Sequence, residues 1–267
     1  MDEIVVDGTD VIGTVRINRP ERGNSVTPAV VTELGDAVQR LCDTDGVRAV
    51  VLTGTGSVFC AGADVREMYE VYHGDGPDAL MTYLADVWMP AVQRTVRLIW
   101  GAPKPIVAAF NGAATAGGLD FGLACDVRIA ASTARFAESY VNLGMVPVAG
   151  GAFLLPLVVG LPAATTLLAS GAFVDADRAL DLGMVNEVCE PDELGPRARQ
   201  LASDLAHGPA ATFARAKGIA RGASTPAFET ALRDSLQANI ELIARPEVRE
   251  RILSVMERFS LSAARHG

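Results

Sequence analysis

Two short, largely apolar runs, Val47 to Leu52 and Pro105 to Phe110, constrain this chain more than any other feature. Each ends in a glycine-containing turn that leads toward a helix. A strand that is apolar on both faces must be covered on both, and parallel sheets sandwiched by helices meet that condition. The expected class is therefore α/β.

The flanking segments fit this class. Ile4 to Val6 and Val11 to Ile17 are separated by Asp7-Gly8-Thr9-Asp10, which is hairpin-turn chemistry. Thr27-Pro28 is an N-cap and first-turn pair, and Val30, Val31, Leu34, Ala37, Val38 and Leu41 follow at helical spacing. A ββα pattern repeats. From about Pro191 the pattern becomes successive helices punctuated by Gly208-Pro209, Thr225-Pro226 and Arg245-Pro246. We read residues 1–190 as the core and 191–267 as a helical region that caps the core or joins copies of the chain. At 267 residues and 49% hydrophobic content, the chain can bury a core large enough for one domain.

Charge and composition remove several functions. A net charge of −9 disfavours nucleic acid, whose binding draws on clustered Lys and Arg. No apolar run approaches the roughly 18 residues of a membrane span, so no membrane partner is expected. Met1-Asp2-Glu3 lacks the early positive charge of a targeting segment, which points to the cytoplasm. Cys42, Cys60, Cys125 and Cys189 lie far apart with no Cys-x-x-Cys pair, so they read as reduced core thiols, and no metal site is expected.

The chemistry gathers at two strand-to-helix turns. Phe59-Cys60-Ala61-Gly62-Ala63-Asp64-Val65-Arg66 follows the first apolar run, and Asn111 to Asp120, with Gly117-Gly118, follows the second. Small residues let backbone N–H groups approach a ligand, and two helix N-termini side by side can hold a developing oxyanion. Tight packing of Gly and Ala is the plainer reading of either turn taken alone.

The two turns in this order resemble the crotonase family, the enoyl-CoA hydratase/isomerase superfamily. Ile17-Asn18-Arg19-Pro20 with Asn24 resembles its early signature. Pro147, Gly150-Gly151, Ser170-Gly171, Ala179-Leu180, Gly183, Val185-Asn186 and Val188 are similar to later blocks, so the likeness spans nearly the whole chain.

The resemblance implies a spiral of ββα units with a C-terminal helical region, assembled as homotrimers or hexamers. It implies an acyl-CoA substrate, with coenzyme A as part of the substrate and no other cofactor, and a place in fatty-acid metabolism. By position, the N–H groups of Ala63 and Gly117 would form the oxyanion pair. Arg66 would meet the nucleotide end of CoA, and Arg22 would lie in the adenine loop. Ala61, Asp64, Val65 and Gly118 would flank the substrate. Asp120, three residues past Gly117, stands where hydratases carry their first catalytic glutamate, and its apolar neighbours should raise its pKa.

Tyr140 stands in place of the second glutamate, where it could donate a hydrogen bond or fill space; the nearest acid, Glu138, could substitute as the second catalytic carboxylate if the local backbone is shifted, with a salt bridge or subunit contact as the plainer expectation. A single carboxylate suits double-bond migration better than hydration, which must also activate water. Between Arg66 and Lys104, Met68, Tyr69, Tyr72, His73, Tyr83, Trp88 and Trp100 would wall the acyl pocket and suit a sizeable or cyclic acyl group, or simply pack.

Three alternatives stand beside enoyl-CoA hydration or migration: a CoA-thioester-binding protein without turnover, thioester hydrolysis, and carbon–carbon cleavage. A serine protease on a related spiral is disfavoured. There is no G-x-S-x-G elbow, and His73, His207 and His266 have no suggestive context.

Overall fold

A computed structural model describes residues 2–8 and 11–263, the last five of these by backbone alone. Thr9-Asp10 of the hairpin turn and His266 lie outside the described residues. In chain order the strands are β1 (Ile4–Asp7), β2 (Ile12–Ile17), β3 (Ala49–Gly54), β4 (Val58–Cys60), β5 (Ile106–Phe110), β6 (Ala113–Thr115), β7 (Val127–Ala131), β8 (Arg135–Ala137), β9 (Val174–Asp175) and β10 (Glu187–Cys189).

They form two sheets. The larger has the order β1-β2-β3-β5-β7-β10, and the smaller β4-β6-β8-β9. β1 and β2 make the expected antiparallel hairpin, with Ile4 opposite Ile17, and every other pair in the larger sheet is parallel. All six residues of β3 and all five of β5 are buried.

Their alternation sorts the core into two layers, as a period of two requires. Val50, Leu52, Ile106, Ala108 and Phe110 face the main core with helix Pro28–Asp43 and helix Met89–Gly101. Ala49, Val51, Val107 and Ala109 face Leu194, Ala198 and Ala202 of helix Leu194–Leu205. The Thr27 side chain caps Pro28–Asp43 by accepting from Val30 N at 3.2 Å.

The smaller sheet explains the repeat. Each parallel strand β3, β5 and β7 is followed at once by β4, β6 or β8, and then by a helical segment. Those segments are Val65–Asp75, Gly117–Ala124 and the 3₁₀ turn Ser139–Leu143. The mixed α/β architecture and the ββα repetition agree with the sequence reading.

The helices from Leu194 onward wrap both sides. Phe228, Leu232, Ile243, Val248, Ile252 and Met256 enter the main core. Polar ties fasten them: Lys217 and Arg221 each meet Asp126 at 2.9 Å, and the Arg221 guanidinium lies 3.9 Å from the Trp100 ring centre. Gln93 bonds to the carbonyls of Val148 and Leu232. Among the described residues no helix is long and apolar enough to cross a membrane.

Candidate active site

A pocket of about 550 Å³ opens where the smaller sheet meets its helices. Its first wall is the turn after β4. Val26 N donates to Gly62 O at 2.8 Å and Asp64 N donates to Val26 O at 3.0 Å, so these two bonds straddle Ala63. In such a parallel bridge the middle residue turns its own N–H to the opposite side, and Ala63 lines the pocket.

The early-signature residues hold this turn. Arg19 pairs with Asp64 at 3.0 Å and with Glu3 at 2.8 Å. Asn24, at φ 53°, accepts from Arg19 N and donates to Thr55 O and Val58 O. The other Asp64 oxygen caps helix Val65–Asp75 through Arg66 N at 3.1 Å. The Asp64 carboxylate is therefore committed to holding the turn.

The second wall is the turn after β6. Ala116 N donates to Ala137 O at 2.9 Å, and its backbone sits at φ 49°, ψ −125°. An L-residue held there stores about 1–3 kcal/mol of strain. Gly117 opens the following helix, so its N–H has no intrahelical acceptor. Among the described residues, neither Ala63 N–H nor Gly117 N–H meets a protein acceptor. Gly118 lies apart from the pocket lining: a Cβ on it would strike the Cys60 side chain at 2.7 Å, so it is a close-packing glycine against β4.

Behind Gly117 lie the acids. The Tyr140 hydroxyl donates to Asp120 Oδ2 at 3.3 Å and would stand 3.3 Å from a Cβ placed on Gly117. Gly151, near the start of helix Gly151–Val159, leaves room for two carboxyls at once, because a Cβ there would collide with both Asp120 Oδ1 and Glu138 Oε1. Asp120 and Glu138 are 0% and 1% exposed, and Tyr140 alone of the three lines the pocket.

Burial pushes the Asp120 carboxyl up to about 7, opposed by Glu138, Tyr140 and the amides of Gly151 and Ala149. Burial also drives Glu138 well above its ordinary value, and the Asp120 charge adds to the shift. The Tyr140 phenol is raised by burial and by the adjacent acids.

Among the described residues Glu138 makes no salt bridge, contrary to one expectation for it, and neither of its oxygens has a hydrogen-bond partner. β8 ends at Ala137 and the chain turns into a 3₁₀ helix at Ser139, with Glu138 at φ −83°, ψ 73°. That change of backbone brings residues 138 and 140 to the same carboxyl.

The remaining positions divide. Arg22, Ala61, Val65 and Arg66 line the outer pocket, and neither arginine pairs with an acid among the described residues. Of the seven residues expected to wall the acyl pocket, only Met68 and Trp88 do so. Tyr69 and Tyr72 stack against His73, and Trp100 packs on Phe228. Sequence reasoning missed Met145, Ile252 and Met256 on the lining, and the role of Gly151 beneath the carboxyls. The Gly150-Gly151 doublet was the available signal.

Comparison with known proteins places this geometry. The chain is 34% identical to crotonyl-CoA hydratase of Syntrophomonas wolfei over 76% of its length and 75% of that protein. It is also 34% identical to 1,2-epoxyphenylacetyl-CoA isomerase of Escherichia coli, over 82% of each chain. The crystal structure of an enoyl-CoA hydratase/isomerase from Pseudoalteromonas atlantica superposes with a TM-score of 0.84 at 29% identity, covering 96% of this chain and 98% of that one. With the pattern of the enoyl-CoA hydratase/isomerase family matched over residues 7–261, the chain belongs to that family, the crotonases.

Proposed function

We propose that this chain acts on enoyl-CoA thioesters, holding the thioester oxygen as an enolate and moving a double bond along the acyl chain faster than it adds water. The observation that carries the reading is the pair of unpaired amides, Ala63 N–H and Gly117 N–H, on a pocket with a single proton-transfer station.

Removing an α- or γ-proton places negative charge on the thioester oxygen, where preorganised N–H donors act most strongly. An Asp120 carboxyl poised at about 7 is matched to proton transfer near neutral pH. Hydration needs a second group to orient and deprotonate water, yet both carboxyls lie behind Tyr140. Met68, Leu84, Trp88, Met145, Ile252 and Met256 offer the acyl chain an apolar wall, while Arg66 and Arg22 suit the phosphates of CoA. Assembly as a homotrimer or a dimer of trimers is part of the same reading, checked by sedimentation.

Rates of hydration and migration on a matched pair of 2-enoyl- and 3-enoyl-CoA substrates test the reaction. Migration should win; faster hydration overturns the reading. The nearness of Glu138 to Asp120 supports a second reading, two-carboxyl hydration. In that case Glu138→Gln suppresses hydration by at least about 100-fold.

A further inference from the structure

Building on the enolate reading, we propose that the proton passes between substrate and enzyme at the Tyr140 hydroxyl, with Asp120 as the base behind the phenol and Glu138 as its neutral, protonated partner. Three observations on the trio lead there. Tyr140 is the member on the pocket wall, and its hydroxyl lies beside Gly117, whose amide would hold the thioester oxygen. That is where the carbon next to the thioester must sit. Asp120, fully buried, is joined to the pocket through its contact with the phenol oxygen.

The third observation assigns the charge. Two carboxyls over one glycine cannot both ionise in a buried site, so one keeps a proton. Glu138 has no hydrogen-bond partner on either oxygen, whereas Asp120 lacks one at Oδ1 alone, accepts from Tyr140 at Oδ2 and is stabilised as an anion by the amides of Gly151 and Ala149. The negative charge therefore rests on Asp120. The groups that act most strongly on the trio are its own members and those two amides. Helix Gly151–Val159, which packs against it, carries only Gly, Ala, Phe, Leu, Pro and Val.

The step balances without a co-reactant. The C–H bond at the α- or γ-carbon breaks, and its electron pair enters the enolate held by Ala63 and Gly117. The carbon-bound proton bonds to Tyr140 Oη as the phenolic proton moves to Asp120 Oδ2. Charge passes from Asp120 to the enolate oxygen, and Glu138 stays neutral. Reversal at the other carbon returns the proton. The two transfers are coupled because burial makes a free phenolate costly.

The test compares Tyr140→Phe, Asp120→Asn, Glu138→Ala and Glu138→Gln by solvent-deuterium exchange into an enoyl-CoA, with binding of the CoA thioester and thermal unfolding measured on each. Tyr140→Phe and Asp120→Asn should each slow exchange by at least about 100-fold with binding retained. Glu138→Ala removes the neighbouring carboxyl, whose influence lowers the Asp120 pKa, so the acid limb of its pH–rate profile should move to higher pH. Glu138→Gln keeps an N–H to donate and should restore much of that shift.

In wild-type background, 3,5-difluorotyrosine at position 140 makes the phenol more acidic and should alter the exchange rate while binding stays constant. An unaltered rate would overturn the relay. Tyr140→Phe exchanging within about threefold of wild type, beside an inactive Asp120→Asn, would show Asp120 reaching the substrate directly, again against the relay. A Glu138→Gln loss as deep as that of Asp120→Asn would overturn the neutral role of Glu138. All these outcomes leave the enolate reading standing; absence of exchange in the wild-type protein would overturn that reading itself.

Discussion

The two sheets of this molecule are built on different principles. In the larger sheet β3 is wholly buried and hydrogen-bonded to β2 and β5, each side chain facing one of two apolar layers. Area removed from water decides its position, at roughly 25 cal/mol per Å². The strands β4, β6 and β8 have three residues each and β9 has two. Phe59, Cys60, Ala114 and Phe136 are buried in the main core, and individual polar ties and close approaches fix these short strands further. Asn111 accepts from Gly54 N and donates to Gly56 O and Val58 O, Thr115 donates to Ala61 O, and Gly118 lets the helix lie on Cys60. Sites that must leave amides unpaired and a backbone strained belong on the second kind of sheet, supported by the stability of the first.

The largest effect that should separate the two sheets comes from Gly117→Val. The added side chain meets the Tyr140 hydroxyl beside the amide we propose as an oxyanion donor. Turnover should fall by about 1,000-fold, the upper range for one lost donor, while CoA-thioester binding falls far less. Calorimetry beside steady-state kinetics checks it; turnover within twofold of wild type would remove Gly117 from the oxyanion pair.

Leu52→Ala strikes the other sheet. Leu52 is fully buried in the main core, and the cavity should cost about 3 kcal/mol in chemical denaturation. The rate constant kcat of the folded fraction should change by less than twofold. A large loss of kcat would mean that the two sheets are not separable in function.

Asp120→Asn sharpens the contrast through pH. The Asp120 pKa in the fold, about 7, lies above its unfolded value of 3.8. Between these values the folded chain holds a proton that the unfolded chain releases, so folding stability contributed by this group falls as pH rises through that window. Asparagine is neutral throughout, so Asp120→Asn should unfold at a higher temperature than wild type at pH 8 and differ little at pH 4. A variant less stable than wild type at pH 8 would contradict the buried-charge account.

The smallest effect belongs to the rim. Arg66→Ala should raise KM for a CoA thioester by about threefold to fivefold, the range of an exposed ionic contact, with kcat unchanged. A pantetheine thioester, which lacks the nucleotide, should show no such rise; an equal rise would place Arg66 elsewhere.

The larger sheet was largely legible in the sequence because burial on both faces writes itself as apolar runs. Even so, β3 begins at Ala49 and reaches Gly54, two residues past the apolar run, since main-chain pairing with β2 continues to Ile17. In the site, Asp120 and Tyr140 were singled out through the family resemblance, which sets them at the positions of its two glutamates. Glu138 was legible only as a conditional candidate, because the switch from strand to 3₁₀ turn at Ser139 that shifts the backbone leaves no periodic trace. Met145, Ile252 and Met256 were not legible, since an apolar residue that lines a pocket reads the same as one that fills a core. The aromatic segment misled for the reverse reason: Tyr69 and Tyr72 are occupied with His73, and the pocket lining there falls to Trp88 with the less conspicuous Met68 and Leu84.

Helix Pro246–Ala263 supplies Ile252, Val255 and Met256 to the pocket that Met68 and Tyr140 also line. On the ribosome every strand of both sheets emerges well before this helix does. A nascent chain can thus pair all its strands while this face of the pocket and part of the main core still lie open to water. On the reading proposed above, substrate capture waits for the helix to dock, and in that interval the uncovered Met68 and Leu84 are a surface for a chaperone to hold.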